Sequence, residues 1–182
     1  MQHENDRDLV QRILRGDEAA FGSLVESYQA RVFRLVRGIV GDWHHSEDVC
    51  QEIFTVVFRK LASFRHRSSL STWIYRVAVN AALKARRRYR RLEGEPVETL
   101  GTFPSPPDPR VEDLEGDEVF RKLLAPLPPR LRLPVVLRDQ LGLNYTEISA
   151  ILRCSRGAVE QRLHRAMVAL REIWKEGERL PR

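Results

Sequence analysis

The chain has 182 residues, enough for one medium domain or two small ones. Hydrophobic residues make up 42% of it, which excludes a globally disordered protein. Thirty-one Lys and Arg against 25 Asp and Glu leave a net charge of +6, a balance that favours acidic partners such as nucleic acid or an anionic membrane. Met1 to Asp8 is polar and mixed in charge, unlike a secretory signal, and no apolar run approaches a membrane span. A soluble cytoplasmic protein is expected. Cys50 and Cys154 lie far apart, outside any CxxC pair, so they make neither a disulfide framework nor a zinc site. As small hydrophobes in apolar surroundings they need no further role.

Charge is distributed in blocks. Residues 1–63 carry eight basic and ten acidic side chains. From Arg65 to Leu92 there are nine basic residues and no acid. From Glu93 to Glu118 the sign reverses, with nine acids against Arg110. That acidic stretch also contains Pro96, Pro104, Pro106, Pro107 and Pro109 and few large apolar residues, so it reads as a linker over 93–117. It divides an N-terminal domain, 1–92, from a C-terminal one, 118–182.

In the first domain, Phe21, Leu24, Val25, Tyr28, Val32, Leu35, Val36 and Ile39 recur at steps of three and four, predicting an amphipathic helix over 17–40. Gly41-Asp42 breaks it. A second helix is predicted over 46–62, with Ser46 as its cap and Val49, Ile53, Phe54, Val57 and Leu61 as its core stripe. Asp48, Gln51, Glu52, Thr55 and Arg59 fall on its other faces, and periodicity alone reads them as solvated surface. A third helix is predicted over 72–91, capped by Ser71, with Ile74, Val77, Ala78, Ala81 and Ala85 buried. Arg76, Asn80, Lys84, Arg87, Arg88 and Arg91 share its opposite face. Like charges this close suit a run of phosphates, with Asn80 able to reach base edges. Before this helix, Phe64, Arg65, Arg67 and Ser68, with Trp73 and Tyr75, interleave aromatic and basic residues, as suits unpaired bases. Trp73 serves equally well as core.

The second domain begins with a helical region at Val119 to Leu124, broken by Pro126, Pro128 and Pro129, and a further helix over 130–141. A short helix follows, capped by Asn144 with Glu147 three residues on, a capping-box pattern. Arg153-Cys154 makes a tight connection, and Ser155 caps a long helix with Val159, Leu163, Ala166, Leu170 and Ile173 inward. Its outer side carries Arg156, Glu160, Gln161, His164 and Arg165, with Arg162 at the boundary. This is a helix-turn-helix pattern, whose second helix enters the major groove of DNA. The expected fold is all-α: two small helical domains on an acidic Pro-rich linker, the second a four-helix helix-turn-helix domain.

Three stretches, with Gly16-Asp17-Glu18-Ala19-Ala20-Phe21, resemble the bacterial sigma factors of the sigma-70 class, in the extracytoplasmic-function (ECF) group. Ser46 to Phe54 is similar to the family segment that docks on a coiled coil of the β′ subunit of RNA polymerase. Phe64 to Arg88, with Ser71-Thr72-Trp73-Ile74-Tyr75-Arg76, is similar to the segment that opens and reads the −10 promoter element. Leu143 to Leu170 is similar to the helix-turn-helix that reads the −35 element. The resemblance covers nearly the whole chain outside the linker. It implies that Asp48, Gln51, Glu52, Thr55 and Arg59 contact polymerase. It assigns Phe64, Arg65, Arg67, Ser68, Trp73, Arg76, Asn80, Lys84, Arg87 and Arg88 to −10 DNA. It assigns Arg156, Glu160, Gln161, Arg162, His164 and Arg165 to −35 DNA. The implied partners are core polymerase through β′ and β, promoter DNA, and an anti-sigma factor, often membrane-bound, that would hold the protein at the inner membrane. Two positions depart from the family pattern: Arg153 stands at a turn position often held by glycine, and Glu160 at one that is usually basic or neutral.

No nucleophile–base set, phosphate loop or metal-ligand cluster is present, and the five histidines lack ligand spacing. No catalytic activity, metal, cofactor or small-molecule substrate is therefore expected. The alternatives are an operator-binding helix-turn-helix regulator, which leaves residues 64–91 without a task, and an interaction protein that binds polymerase or RNA without reading promoters.

Overall fold

A computed structural model describes residues 2–92 and 115–178, all helices and short connections. The linker predicted over 93–117 lies almost wholly outside the described residues. The chain divides into two compact units, Met1–Tyr89 and Arg90–Arg182.

The first unit contains α1 (Gln2–Leu14), α2 (Glu18–Val40), α3 (Trp43–Lys60), a single 3-10 turn (Leu61–Ser63) and α4 (Leu70–Leu92). Gly16, at φ +90°, turns the chain between α1 and α2, and Asp17 caps α2 by accepting from the Ala20 amide at 3.0 Å. The Ala20 hydrogen bond, then the Arg12 side chain, hold the Asp17 carboxyl below its ordinary pKa. Leu24, Val32, Leu35 and Val36 of α2 meet Val49, Ile53 and Val57 of α3 in a core with almost no solvent access. Ile74, Ala78, Ala82 and Ala85 bring the buried side of α4 into the same unit.

Two predicted caps move. Helix α3 begins at Trp43, capped by Asp42, whose side chain accepts from the His45 amide at 2.8 Å. Ser46 lies one turn inside, fully buried, its hydroxyl donating to the Asp42 carbonyl. An acid directly after the Gly41 break caps as well as a serine, and the earlier one wins because Trp43 packs against Phe33, ring centres 4.6 Å apart. Helix α4 begins at Leu70, and Ser69 rather than Ser71 accepts from the Thr72 amide, at 3.1 Å. Asp6 of α1 also accepts from the Leu70 amide at 3.4 Å, tying the two helix starts together.

The second unit contains α5 (Glu115–Leu124), α6 (Pro129–Asp139), α7 (Tyr145–Leu152) and α8 (Arg156–Glu178), the four helices expected. Pro129 at the first position of α6 loses no helical hydrogen bond, since that amide would be unpaired in any helix. The Arg132 guanidinium donates to the carbonyls of Ala125 and Leu127, fixing the α5–α6 connection. Leu127, Leu137, Ile148, Ile151, Val159, Leu163 and Ala166 form the core. Leu170 and Ile173, predicted inward, are only half-buried, because α8 outruns the helices that cover its first half.

Candidate nucleic-acid and polymerase-docking surfaces

The helix-turn-helix is built as the sequence indicates. The Asn144 side chain accepts from the Thr146 and Glu147 amides, each at 3.0 Å, and Glu147 accepts from the Asn144 amide at 2.9 Å. This reciprocal box starts α7 at a defined residue. Helix α7 ends at Arg153, with φ 50° and ψ 48°, the left-handed conformation that glycine adopts freely. Arginine thus takes the glycine conformation at a cost of about 1 kcal/mol. Ser155 then accepts from the Ala158 amide at 3.2 Å and starts α8.

With Val159, Leu163 and Ala166 buried, Arg156, Glu160, Gln161, His164 and Arg165 are left on the exposed side of α8. Arg162 is half-buried and points its guanidinium to the Cys154 sulfur at 3.7 Å. Glu160 pairs with Arg156 at 3.0 Å, one helical turn away. This pairing offsets part of the acid's charge on the exposed side of α8.

On α4, Asn80, Lys84, Arg87, Arg88 and Arg91 are exposed and Arg76 half-buried, so the predicted basic face is present. Arg86, in the same basic run, is buried at 6% exposure and belongs to the other side of the helix. Arg88 donates to the Tyr89 hydroxyl at 2.9 Å, lies over its ring at 4.8 Å and approaches Glu52 of α3 at 3.7 Å. The Tyr89 hydrogen bond first, and Glu52 after it, raise the Arg88 pKa above its ordinary value.

Around the loop before α4, Trp73 takes the core reading and Phe64 joins it. Arg65 and Arg67 are exposed and Ser68 half-buried, but Phe64 and Trp73 are each only 8% exposed, with ring centres 5.4 Å apart. The two rings pack on each other and support the loop; they present no open stacking surface. His66, at φ 52°, is the exposed ring of the loop, 4.5 Å from Phe64.

On α3, Asp48, Gln51, Glu52, Thr55 and Arg59 are all exposed, opposite the buried Val49, Ile53 and Val57. Beside them lies a feature that periodicity did not reveal. Phe21, Phe33, Trp43, Phe54 and Phe58 line an open groove of about 820 Å³ between α2 and α3, with Gln51 and Thr55 on its edge. Phe58 is 55% exposed and meets Phe21 edge-on at 4.9 Å. Part of the signal lay in the sequence: Phe58 falls outside the predicted core stripe, and Phe54, predicted within it, lies one turn away and is only half-buried. Cys50 also faces this groove, and burial, with Glu47 nearby, pushes its thiol up to about 12, so it stays protonated at neutral pH. Among the described residues no group of His, Cys, Asp and Glu could hold a metal ion, and no helix is long and apolar enough to cross a membrane.

An exposed polar face on α3 and a basic face on α4 in one helical unit, with a helix-turn-helix in the other, fit a sigma factor of the sigma-70 class, and comparisons with known proteins show that family. Sigma-70 region 2 matches residues 24–92 and sigma-70 region 4 matches residues 117–170. The chain is 33% identical to the RNA polymerase sigma-H factor of Pseudomonas aeruginosa, over 93% of this chain and 94% of that protein. It is 38% identical to the ECF RNA polymerase sigma-E factor of Escherichia coli K12, over 91% and 92%. Two solved structures share the fold. CnrH in complex with the cytosolic domain of CnrY has a TM-score of 0.72 at 24% identity, covering 94% of this chain and 97% of that one. The sigma factor RpoE of Bartonella quintana, in complex with the anti-sigma factor NepR, has a TM-score of 0.67 at 22% identity, covering 85% and 96%. The chain belongs to the ECF sigma factors. Its function is promoter-specific transcription initiation, and the reading as a conventional operator-binding regulator is not favoured. Members of the family are initiation factors rather than enzymes.

Proposed function

We propose that the exposed face of α3, with Asp48, Gln51, Glu52, Thr55 and Arg59, docks this protein on the β′ subunit of core RNA polymerase. The basic face of α4 and the loop at Arg65, Arg67 and Ser68 then contact the −10 element, while α8 holds the −35 duplex through Arg156, Glu160, Gln161, His164 and Arg165. Phe64 and Trp73 serve the first of these sites by packing beneath the loop. Capturing single-stranded bases shifts DNA toward the melted form, so initiation needs no nucleotide hydrolysis by this chain. All chemistry belongs to polymerase, and the chain has no catalytic activity of its own. By its resemblance to the family, the linker threads into polymerase toward the RNA exit path, and the acidic residues of 93–118 suit a channel built to hold anionic RNA. An anti-sigma factor is the natural controlling partner, since two structures of the same fold are complexes with a second protein, one named an anti-sigma factor. Such a partner, if membrane-bound, would hold an otherwise cytoplasmic protein at the inner membrane.

The observation that carries this reading is the separation of polar faces: each stands opposite its own buried stripe, on α3, α4 and α8. Replacing Asp48 and Gln51 together by alanine should lower affinity for core polymerase by about 10-fold or more, because truncations near an interface centre cost about 2 kcal/mol. Fluorescence titration of labelled protein with core enzyme measures it, and unchanged affinity would remove this face from the interface.

A further inference from the structure

We propose that Glu52 is an exchangeable partner, holding Arg88 in the free chain and giving it up to promoter DNA when polymerase occupies α3. The proposal rests on the assignment of α3 to polymerase and α4 to DNA made above. Residues 65–92 contain no acid, so a carboxylate for the α4 face must come from another helix. Glu52 supplies it, with its Oε1 3.7 Å from an Arg88 nitrogen. The two side chains are 57% and 52% exposed, so polymerase can reach one and DNA the other. A surface pair of this kind is weak enough to exchange against a stronger partner.

The end of α4 does not depend on that pair. His45 of α3 stacks on Tyr89, ring centres 3.8 Å apart and planes 17° from parallel. Arg88 keeps its own contacts to Tyr89. Releasing Glu52 therefore leaves the helix anchored and frees the guanidinium to turn. In the free chain, Glu52 acts on DNA binding by occupying Arg88. A polymerase cation on Glu52 removes that hold, so DNA affinity rises on docking.

The test is anisotropy binding to a fork-junction DNA from a promoter at which the holoenzyme initiates, over a salt series. Free chain is compared with holoenzyme assembled at saturating core. Glu52→Gln should raise free-chain affinity about two- to fivefold, the range available to an exposed ion pair, and should have no such effect in an Arg88→Ala background. Arg88→Ala should lower the salt slope of the holoenzyme by about one, the signature of one lost phosphate contact, and leave the free chain's slope unchanged. Equal gains from Glu52→Gln with and without Arg88 would overturn the exchange, as would equal losses from Arg88→Ala in both forms. An Arg88→Ala holoenzyme with unaltered DNA affinity and slope would instead remove Arg88 from the DNA face and the exchange with it.

Discussion

Replacing Arg165 by alanine is expected to weaken binding of −35 duplex DNA by about 10- to 100-fold, because a well-placed base contact is worth about 1–3 kcal/mol. Arg165 is exposed on α8, one position before the buried Ala166, and it makes no hydrogen bond or ion pair among the described residues. Its loss therefore leaves the core intact. If the side chain reads a base, the loss will be concentrated at one promoter position. If it holds a phosphate, the loss will be uniform across sequences and the salt slope will fall by about one. Affinity for core polymerase should not change in either case. An equal fall in polymerase binding would show that α8 has been given the wrong task.

The largest effect on stability is expected at Ile53. Its side chain has no solvent access and lies opposite the exposed polar face of α3. Ile53→Ala should cost about 2–5 kcal/mol, the transfer energy of the lost atoms plus the cavity they leave. Ile53→Val should cost only about 0.5–1.5 kcal/mol. Amide hydrogen exchange across α2 and α3 reads the change directly, since protection in these helices reports the opening of this core. A loss below about 1 kcal/mol for the alanine variant would mean that the α2–α3 packing is not what holds the polar face of α3 in shape.

The helix-turn-helix was the most legible part of the chain, because its local signals agree. The Asn144–Glu147 box, the break at Arg153, the Ser155 cap and the inward stripe of α8 specify the same geometry. The basic face of α4 was legible from composition, since an ordinary solvated helix face mixes both signs of charge and residues 65–92 contain no acid. Helix starts were harder to place. Asp42 and Ser46 are both good caps, and the choice between them was made by Trp43 packing on Phe33, a tertiary contact absent from local pattern. Phe64 and Trp73 show the same limit. Aromatic rings among arginines look alike in sequence whether they face bases or each other, and only the 5.4 Å approach of the two rings decides. The α2–α3 groove was hidden for a related reason: Phe21 and Phe54 fit a helical stripe, yet the two helices do not close over them.

Reconstituted transcription tests the central claim most directly. Core bacterial RNA polymerase, this protein and fragmented genomic DNA from its host are combined, and the 5′ ends of the transcripts are sequenced. Starts that depend on the protein and share two upstream motifs at fixed spacing are predicted. Absence of protein-dependent starts, from a core enzyme that initiates normally with another sigma factor, would contradict the account.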